Sequence, residues 1–381
     1  MFSQVLKLIP RIEFERLVSE TGAEYRAKGL SSWSQFVGML FCQLGRAHSL
    51  REIEGGLMSC EGKLAHLGIE APKRSSLSYA NGHRPWQLFE KVFHGLYEKV
   101  AAKVTGKRKF RFKNKLVSLD STTIDLCLSM YDWARFCRTK GAVKLHLVLD
   151  HDGYLPQFAV MTDGKVSDVE IARQLDFAPG TIVVEDRGYT DYALYSRWTD
   201  SGVYFVSRLR ANAKFEVVEQ RELPPAAAIL EDQIIRLTDR YARKKCQHLL
   251  RRVVAIHEES GEILEFVTNH YNLAASSIAA IYKDRWQIEL FFKAIKQNLK
   301  IKTFVGTSSN AVRTQIWTAL IAMLLLRYLQ LCSRFGWSLA NLVALLRMNL
   351  FTHRDLMAWL DRPFAVPPDP QDHPQIDLAF T

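Results

Sequence analysis

Residues 278–302 read IAAIYKDRWQIELFFKAIKQNLKIK, and the rest of the chain is best read outward from them. Wound at about 100° per residue, Tyr282, Arg285, Glu289, Lys293 and Lys296 share an arc about 80° wide. Ile281, Ile288, Phe292, Ile295 and Leu299 fall on the adjacent side, which is predicted to face a core. The polar arc mixes one acid with a hydroxyl and several cations. Ordinary i,i+4 pairing of Glu289 with Arg285 and Lys293 accounts for such a pattern at about 0.2–0.5 kcal/mol per pair. The functional alternative gives Glu289 to a metal ion and the cations to phosphates. Trp286, about 40° from Tyr282, either stacks on a base or packs.

Upstream, two aspartates directly follow apolar strand runs: Asp120 after LVSL (116–119) and Asp186 after IVVE (182–185). An Asp at the end of a strand is held rigidly while its carboxylate stays open. Together with Glu289 they form an all-oxygen set that suits Mg²⁺, with Mn²⁺ as a substitute. Two such ions activate a nucleophile and stabilise the leaving oxygen of a phosphodiester. Among 40 Asp and Glu, three separated acids are weak grounds alone. Asp125, Asp150, Asp152, Glu185 and Asp284 are comparable candidates.

The predicted elements make an α/β chain. Strand runs at 116–120, 144–149 and 158–162 read as antiparallel neighbours, with further strands at 181–185 and 202–207. Short helices are expected over 166–175 and 188–198. Residues 208–268 carry short alternating runs (IIRL, LLRRVVAIHEE, ILEFVTN) and read as a basic, β-rich insertion. Ser276 to Leu331 reads as helix.

Residues 1–98 read as compact and helical, with Pro10 separating two stretches and Ser49 capping a helix. Ser75–Ala80 is predicted as a short helix, Asn81-Gly82 as a turn and Pro85 as the start of a longer helix. Such an array suits a DNA-end reader as well as any small helical domain. Residues 99–115, KVAAKVTGKRKFRFKNK, hold eight basic residues and no acid. They are either a solvated linker or a segment contacting phosphates through Lys107, Arg108 and Lys109.

The net charge of +11 favours a polyanionic partner. Cys42, Cys60, Cys127, Cys137, Cys246 and Cys332 are scattered without zinc-site spacing and read as reduced thiols. No secretory signal is visible. The longest apolar run, Ala319 to Leu326, stops at Arg327, short of the roughly 20 residues a membrane span needs. No membrane association is expected.

At residues 282–296 the chain resembles the transposases of the IS4 superfamily, the bacterial DDE enzymes of insertion sequences. The family signature places Tyr, Arg, Glu and Lys at the spacing of Tyr282, Arg285, Glu289 and Lys296. Its second block, a strand followed by Asp-Arg-Gly-Tyr, matches IVVEDRGYTDY (182–192), and its first matches VSLDSTTI (117–124). The resemblance covers roughly 116–335, and more softly the N-terminal region. It implies an RNase H-like catalytic core interrupted by a β-rich insertion and preceded by a helical N-terminal domain. The expected divisions are 1–98, 99–207, 208–268, 269–345 and a C-terminal helix with a Pro-rich tail over 346–381. It implies Asp120, Asp186 and Glu289 as catalytic metal ligands, two Mg²⁺ ions, and DNA contacts from Tyr282, Arg285, Trp286, Lys293, Lys296 and Arg187. The implied reaction is cleavage of double-stranded DNA at terminal inverted repeats, then attack of the freed 3′-OH on target DNA. A homodimeric synaptic complex at the bacterial nucleoid, in the cytoplasm, is implied too. Related cut-and-paste members pass through a hairpin and use a Trp of the insertion. Residues 207–275 hold no Trp, leaving Tyr241 or Phe266 as substitutes. The alternatives are an RNase H-like endonuclease without strand transfer and a non-catalytic DNA-end-binding regulator.

Overall fold

The computed structural model describes residues 1–104, 109–127, 130–131, 133–134, 141–223, 228–257 and 260–365. Lys107, Arg108, Cys137 and most of the Pro-rich tail lie outside them. The N-terminal region folds as α1 (Phe2–Leu6), α2 (Arg11–Thr21), α3 (Ser32–Leu44), α4 (Leu50–Met58), α5 (Glu61–Leu64), α6 (Arg74–His83) and α7 (Gln87–Val104). The Ser31 and Ser49 side chains accept N–H bonds from Ser34 and Glu52, starting α3 and α4.

The core follows as β1 (Leu116–Leu126), β2 (Gly141–Asp150), β3 (Leu155–Asp163), α8 (Asp168–Ala172), β4 (Ile182–Glu185), α9 (Tyr192–Asp200) and β5 (Tyr204–Arg208). The insertion supplies β6 (Phe215–Gln220), β7 (Ile229–Leu237), α10 (Arg240–Lys245), β8 (Leu250–Ile256) and β9 (Ile263–Thr268). Helices complete the chain: α11 (Ala275–Asp284), α12 (Trp286–Asn298), α13 (Ser309–Cys332), α14 (Leu339–Asn349) and α15 (Leu356–Asp361).

Among the described residues the strands form one sheet in the order β3-β2-β1-β4-β5-β9-β8-β7-β6. β1 runs antiparallel to β2 and parallel to β4, and β4 runs parallel to β5. This is an RNase H-like α/β core. The insertion does not stand apart: β9 pairs antiparallel with β5 and prolongs the core sheet. Alternate side chains of β1 face opposite layers. Val117 and Leu119 pack with Val183, Phe205 and Trp198 of α9, while Leu116, Ile182 and Val184 pack with Ile278 and Ile281 of α11.

α13 has the length and apolarity of a bilayer span, yet every residue from Thr314 to Leu326 is buried. It is the spine of a core shared by α3, α7, α12, α14 and β1–β3, so the N-terminal helices and the catalytic half bury one continuous apolar surface.

Four expectations change. Asp120 lies inside β1 and not at its end, because β2 keeps pairing with β1 as far as Leu126↔Gly141; the parallel partner β4 stops at Leu119↔Glu185. Asn81-Gly82 sits within α6 and not in a turn. Buried Asn81 accepts from Gln35 Nε2 at 2.9 Å and donates to Met39 Sδ at 3.2 Å, tertiary bonds that outweigh its turn preference. Residues 99–104 continue α7, where Val100 and Val104 are buried. The helical stretch 276–331 is interrupted over 299–308, between α12 and α13.

Candidate active site

β1 and β4 lie side by side, so Asp186, immediately after Glu185, stands beside Asp120 at about the 5 Å spacing of neighbouring strands. From the facing layer α12 packs on β1 and α11 on β5 and β8, with Ile278 and Ile281 of α11 against Ile182 and Val184 of β4. Their junction at Arg285 keeps right-handed helical angles (φ −53°, ψ −31°), so the polar arc of 282–296 runs on unbroken. Its apolar side packs inward: Ile281, Ile288, Phe292, Ile295 and Leu299 are all buried.

The arc brings the acids together. Tyr282 Oη donates to Asp186 Oδ1 at 3.3 Å. Arg285 reaches two acids at once, Nη1 to Asp120 Oδ2 at 3.2 Å and Nη2 to Glu289 Oε1 at 2.6 Å. Lys296 Nζ donates to Thr122 Oγ1 at 2.6 Å and to the Thr123 carbonyl at 3.0 Å, clamping the far end of α12 to β1. Trp286 and Lys293 are exposed on the same helix, and Arg187 is exposed beside Asp186.

The electrostatics are those of crowded carboxylates. Burial raises the Asp120 carboxyl to about 6; the Ser121 N–H and Arg285 pull it down, while Glu289 and Asp186 push it up. Among the described residues no three His, Cys, Asp or Glu side chains stand close enough to chelate an ion in this arrangement, and Arg285 lies between two of the expected ligands. The donor set nevertheless fits hard cations: its acids are oxygen-only and two of them already share a positive group.

Three of the rival acids are occupied otherwise. Glu185 is fully buried, is pushed up to about 8 chiefly by that burial, and accepts from Tyr195 Oη at 2.7 Å. Asp150 accepts from Tyr97 Oη at 2.9 Å and pairs with Lys115 at 3.4 Å. Asp284, next to Arg285, accepts from Lys109 at 2.5 Å and from Tyr154 Oη at 3.2 Å. Its Oδ2 lies 2.7 Å from His151 Nδ1, whose Nε2 lies 2.7 Å from Ser118 Oγ. Because Nδ1 donates to the carboxylate, Nε2 of a neutral ring accepts the Ser118 hydroxyl. This buried chain ties β1, the β2–β3 turn and the α11–α12 junction together. Gly153 shapes that turn: it takes φ +79°, and a Cβ there would meet Val104 at 2.5 Å. The sequence signal was the string HDG, legible as a turn but not as a strut.

The pattern of acids, Tyr, Arg and Lys on this fold is accompanied by a family match: the Transposase DDE domain model covers residues 111–325, more than half of the chain. The chain belongs to the IS4-like DDE transposases. A domain of unknown function matches residues 1–70 of this transposase. A Sinorhizobium fredii protein, "Putative transposase y4zB", is 32% identical over 302 residues, covering 78% of this chain and 83% of that one. The Escherichia coli transposase InsG of insertion sequence element IS4 is 28% identical over 199 residues, covering 49% and 43%. A piggyBac transposase synaptic complex with hairpin DNA shares 10% identity at a TM-score of 0.44, covering 97% of this chain and 82% of that chain. Homology thus assigns the transposase the general cut-and-paste chemistry of DDE enzymes on DNA.

Proposed function

We propose that this transposase cleaves double-stranded DNA at the terminal inverted repeats of its own insertion sequence and joins the freed 3′-OH ends to target DNA. In this reading Asp120, Asp186 and Glu289 are the catalytic acids and hold two Mg²⁺ ions, or Mn²⁺ in their place. The observation that carries it is the grip of one short helical arc, which itself bears Glu289, on acids from two distant segments: Tyr282 holds Asp186, and Arg285 joins Asp120 to Glu289. Ions held by these residues would supply activation of the attacking oxygen and stabilisation of the leaving one.

The other residues hold the strand. Arg285 presents a donor fork that fits phosphate oxygens as well as the carboxylates it now contacts. Tyr282 offers a hydroxyl on one side of it and Lys296 an ammonium on the other. Lys293, Arg187 and, through residues 107–109, the basic linker add charge along the backbone, and exposed Trp286 stacks on an unpaired base. Residues 1–98 bind the element end. Two ends must meet, so the working form is a homodimer, acting in the cytoplasm at the nucleoid. Cleavage proceeds through a hairpin. Phe266 is buried with its ring 4.9 Å from that of Tyr282, so Tyr241, largely exposed on the insertion, is the aromatic residue available to the flipped base.

The test is cleavage and joining of a labelled inverted-repeat end with Mg²⁺ present and absent. Single changes of Asp120, Asp186 or Glu289 to Ala should each lower cleavage by roughly 10³-fold or more while end binding persists. Wild-type cleavage by Asp186→Ala would remove the metal assignment. Hydrolysis without joining would reduce the protein to an endonuclease, and linear products lacking a hairpin would remove that step.

A further inference from the structure

Beyond Glu289 the chain gathers a second group of charges that the chemistry above leaves unused. Lys300, just past the end of α12, is buried. Its ammonium lies 2.7 Å from His48 Nδ1, and its backbone N–H donates to Gln43 Oε1 at 2.7 Å. Arg46, in the turn between α3 and α4, donates from Nη2 to the Gln297 carbonyl at 3.2 Å. Arg347 of α14 donates from Nε to the Leu44 carbonyl at 3.2 Å. Three cations from three segments are thus anchored on two carbonyls and an imidazole. Burial and then the Arg46 charge hold Lys300 below the usual lysine range, and Arg347 adds to this; Cys42 and Glu52 act the other way. Glu52 already spends one oxygen on the His48 N–H at 2.8 Å.

Arg46 also takes φ +63°, a left-handed conformation in which glycine is the ordinary resident. A guanidinium kept there at a backbone cost, among like charges and without a carboxylate partner among the described residues, is short of an anion. Arginine forks and an ammonium converging from separate elements suit the oxygens of a phosphodiester. The distance indicates which one. Lys300 comes eleven positions after Glu289, which at about 1.5 Å per residue is roughly 16–17 Å. A DNA strand advances about 3.4 Å per nucleotide, so the cluster stands about four to five nucleotides along. Lys293 and Lys296 lie between.

We propose that Arg46, Lys300 and Arg347 form a binding site for one backbone phosphate of the DNA strand, about four to five nucleotides from the bond that is cut. The site joins the N-terminal helices to the catalytic helix through the DNA itself. It rests on the transposase reading above.

The test uses the full chain carrying Asp120→Ala, so that binding is read without cleavage. The ligand is a duplex bearing the element's terminal repeat, unmodified or with single neutral methylphosphonates at successive positions. Arg46→Gly suits the left-handed backbone, and Lys300→Met keeps the buried stem. Together they should weaken binding roughly 10- to 100-fold at 0.2 M salt and reduce the slope of log K against log salt by about 1. The methylphosphonate at the fourth or fifth position should weaken the parent about tenfold and leave the double variant unchanged. Should Lys300→Met misfold, Arg46→Gly with Arg347→Gln serves in its place and predicts the same loss of slope. Equal slopes in parent and variant overturn the proposal while leaving the transposase reading intact. A parent that binds no duplex overturns both. Inorganic phosphate at about 10 mM that raises the parent's unfolding temperature but not the variant's, with the DNA slopes equal, would mark a free-anion site and overturn the strand assignment.

Discussion

Ser118 and Asp120 stand two residues apart on the same face of β1, and Asp284 and Arg285 are neighbours on the helix opposite, yet the two contacts they make differ in kind. Ser118, His151 and Asp284 form a closed chain, all three buried, in which each polar atom of the His ring meets a partner at 2.7 Å. Asp120, Arg285 and Glu289 form an open one, only partly buried and with more acid than base. The carboxyls respond in opposite directions. Asp284 lies below the usual carboxylate range: burial raises it, but the bonds from His151 and Lys109 lower it further. Asp120 is raised to about 6, with burial the largest cause. The same two elements are therefore pinned by one sealed contact, which leaves the neighbouring one free to be electrostatically unsatisfied. A site that must accept cations and phosphate is best left in that state, provided something adjacent holds its walls.

The largest expected effect falls on the closed side. Asp284→Ala leaves His151 and Lys109 without their acceptor and should cost about 3 kcal/mol or more in denaturant unfolding. A loss below about 1 kcal/mol would show that the strut is not one. The open side should respond with the opposite sign. Asp120 has a folded pKa above its unfolded value, so ionising it opposes folding: stability should fall as pH rises through about 4 to 6. Asp120→Asn should remove that slope and gain about 1–3 kcal/mol at pH 7 relative to pH 4. Asp284 runs the other way: its contribution is present above about pH 4 and is lost as pH falls through its lowered pKa. Parallel pH profiles for Asp120→Asn and Asp284→Asn would dissolve the contrast. The smallest effect is expected from Ser118→Ala, which removes one buried hydroxyl from His151 and should cost about 1–2 kcal/mol without altering either pH slope.

Much of this was legible beforehand, for reasons that differ from residue to residue. The polar arc was readable because helical periodicity fixes which side chains share a face, and Tyr282, Arg285 and Lys296 all reach β1 or the residue after β4. The strands were readable because a buried parallel pair demands short apolar runs, as at 116–119 and 182–185. The fate of Asp284 was not, since five acids looked alike in one dimension and only their tertiary partners separated them. The partners of the basic segment were not legible: Lys109 finds Asp284, 175 residues away, and Lys115 finds Asp150. The edge strand β6 went unread because most of its side chains are exposed and show no period.

Alone, the amino-acid order determined the local geometry and the chemical inventory: helix faces, strand runs, caps, and which side chains can bind cations or phosphate. Periodicity and spacing are properties of the chain and survive without a fold. Only the tertiary structure decided that Asp120 joins Glu289 on Arg285, that α13 is an interior spine, that the insertion continues the core sheet, and that Arg46, Lys300 and Arg347 gather near the end of α3. Those outcomes depend on packing between segments tens to hundreds of residues apart, where the free energy of burial, and not any local preference, chooses the neighbour.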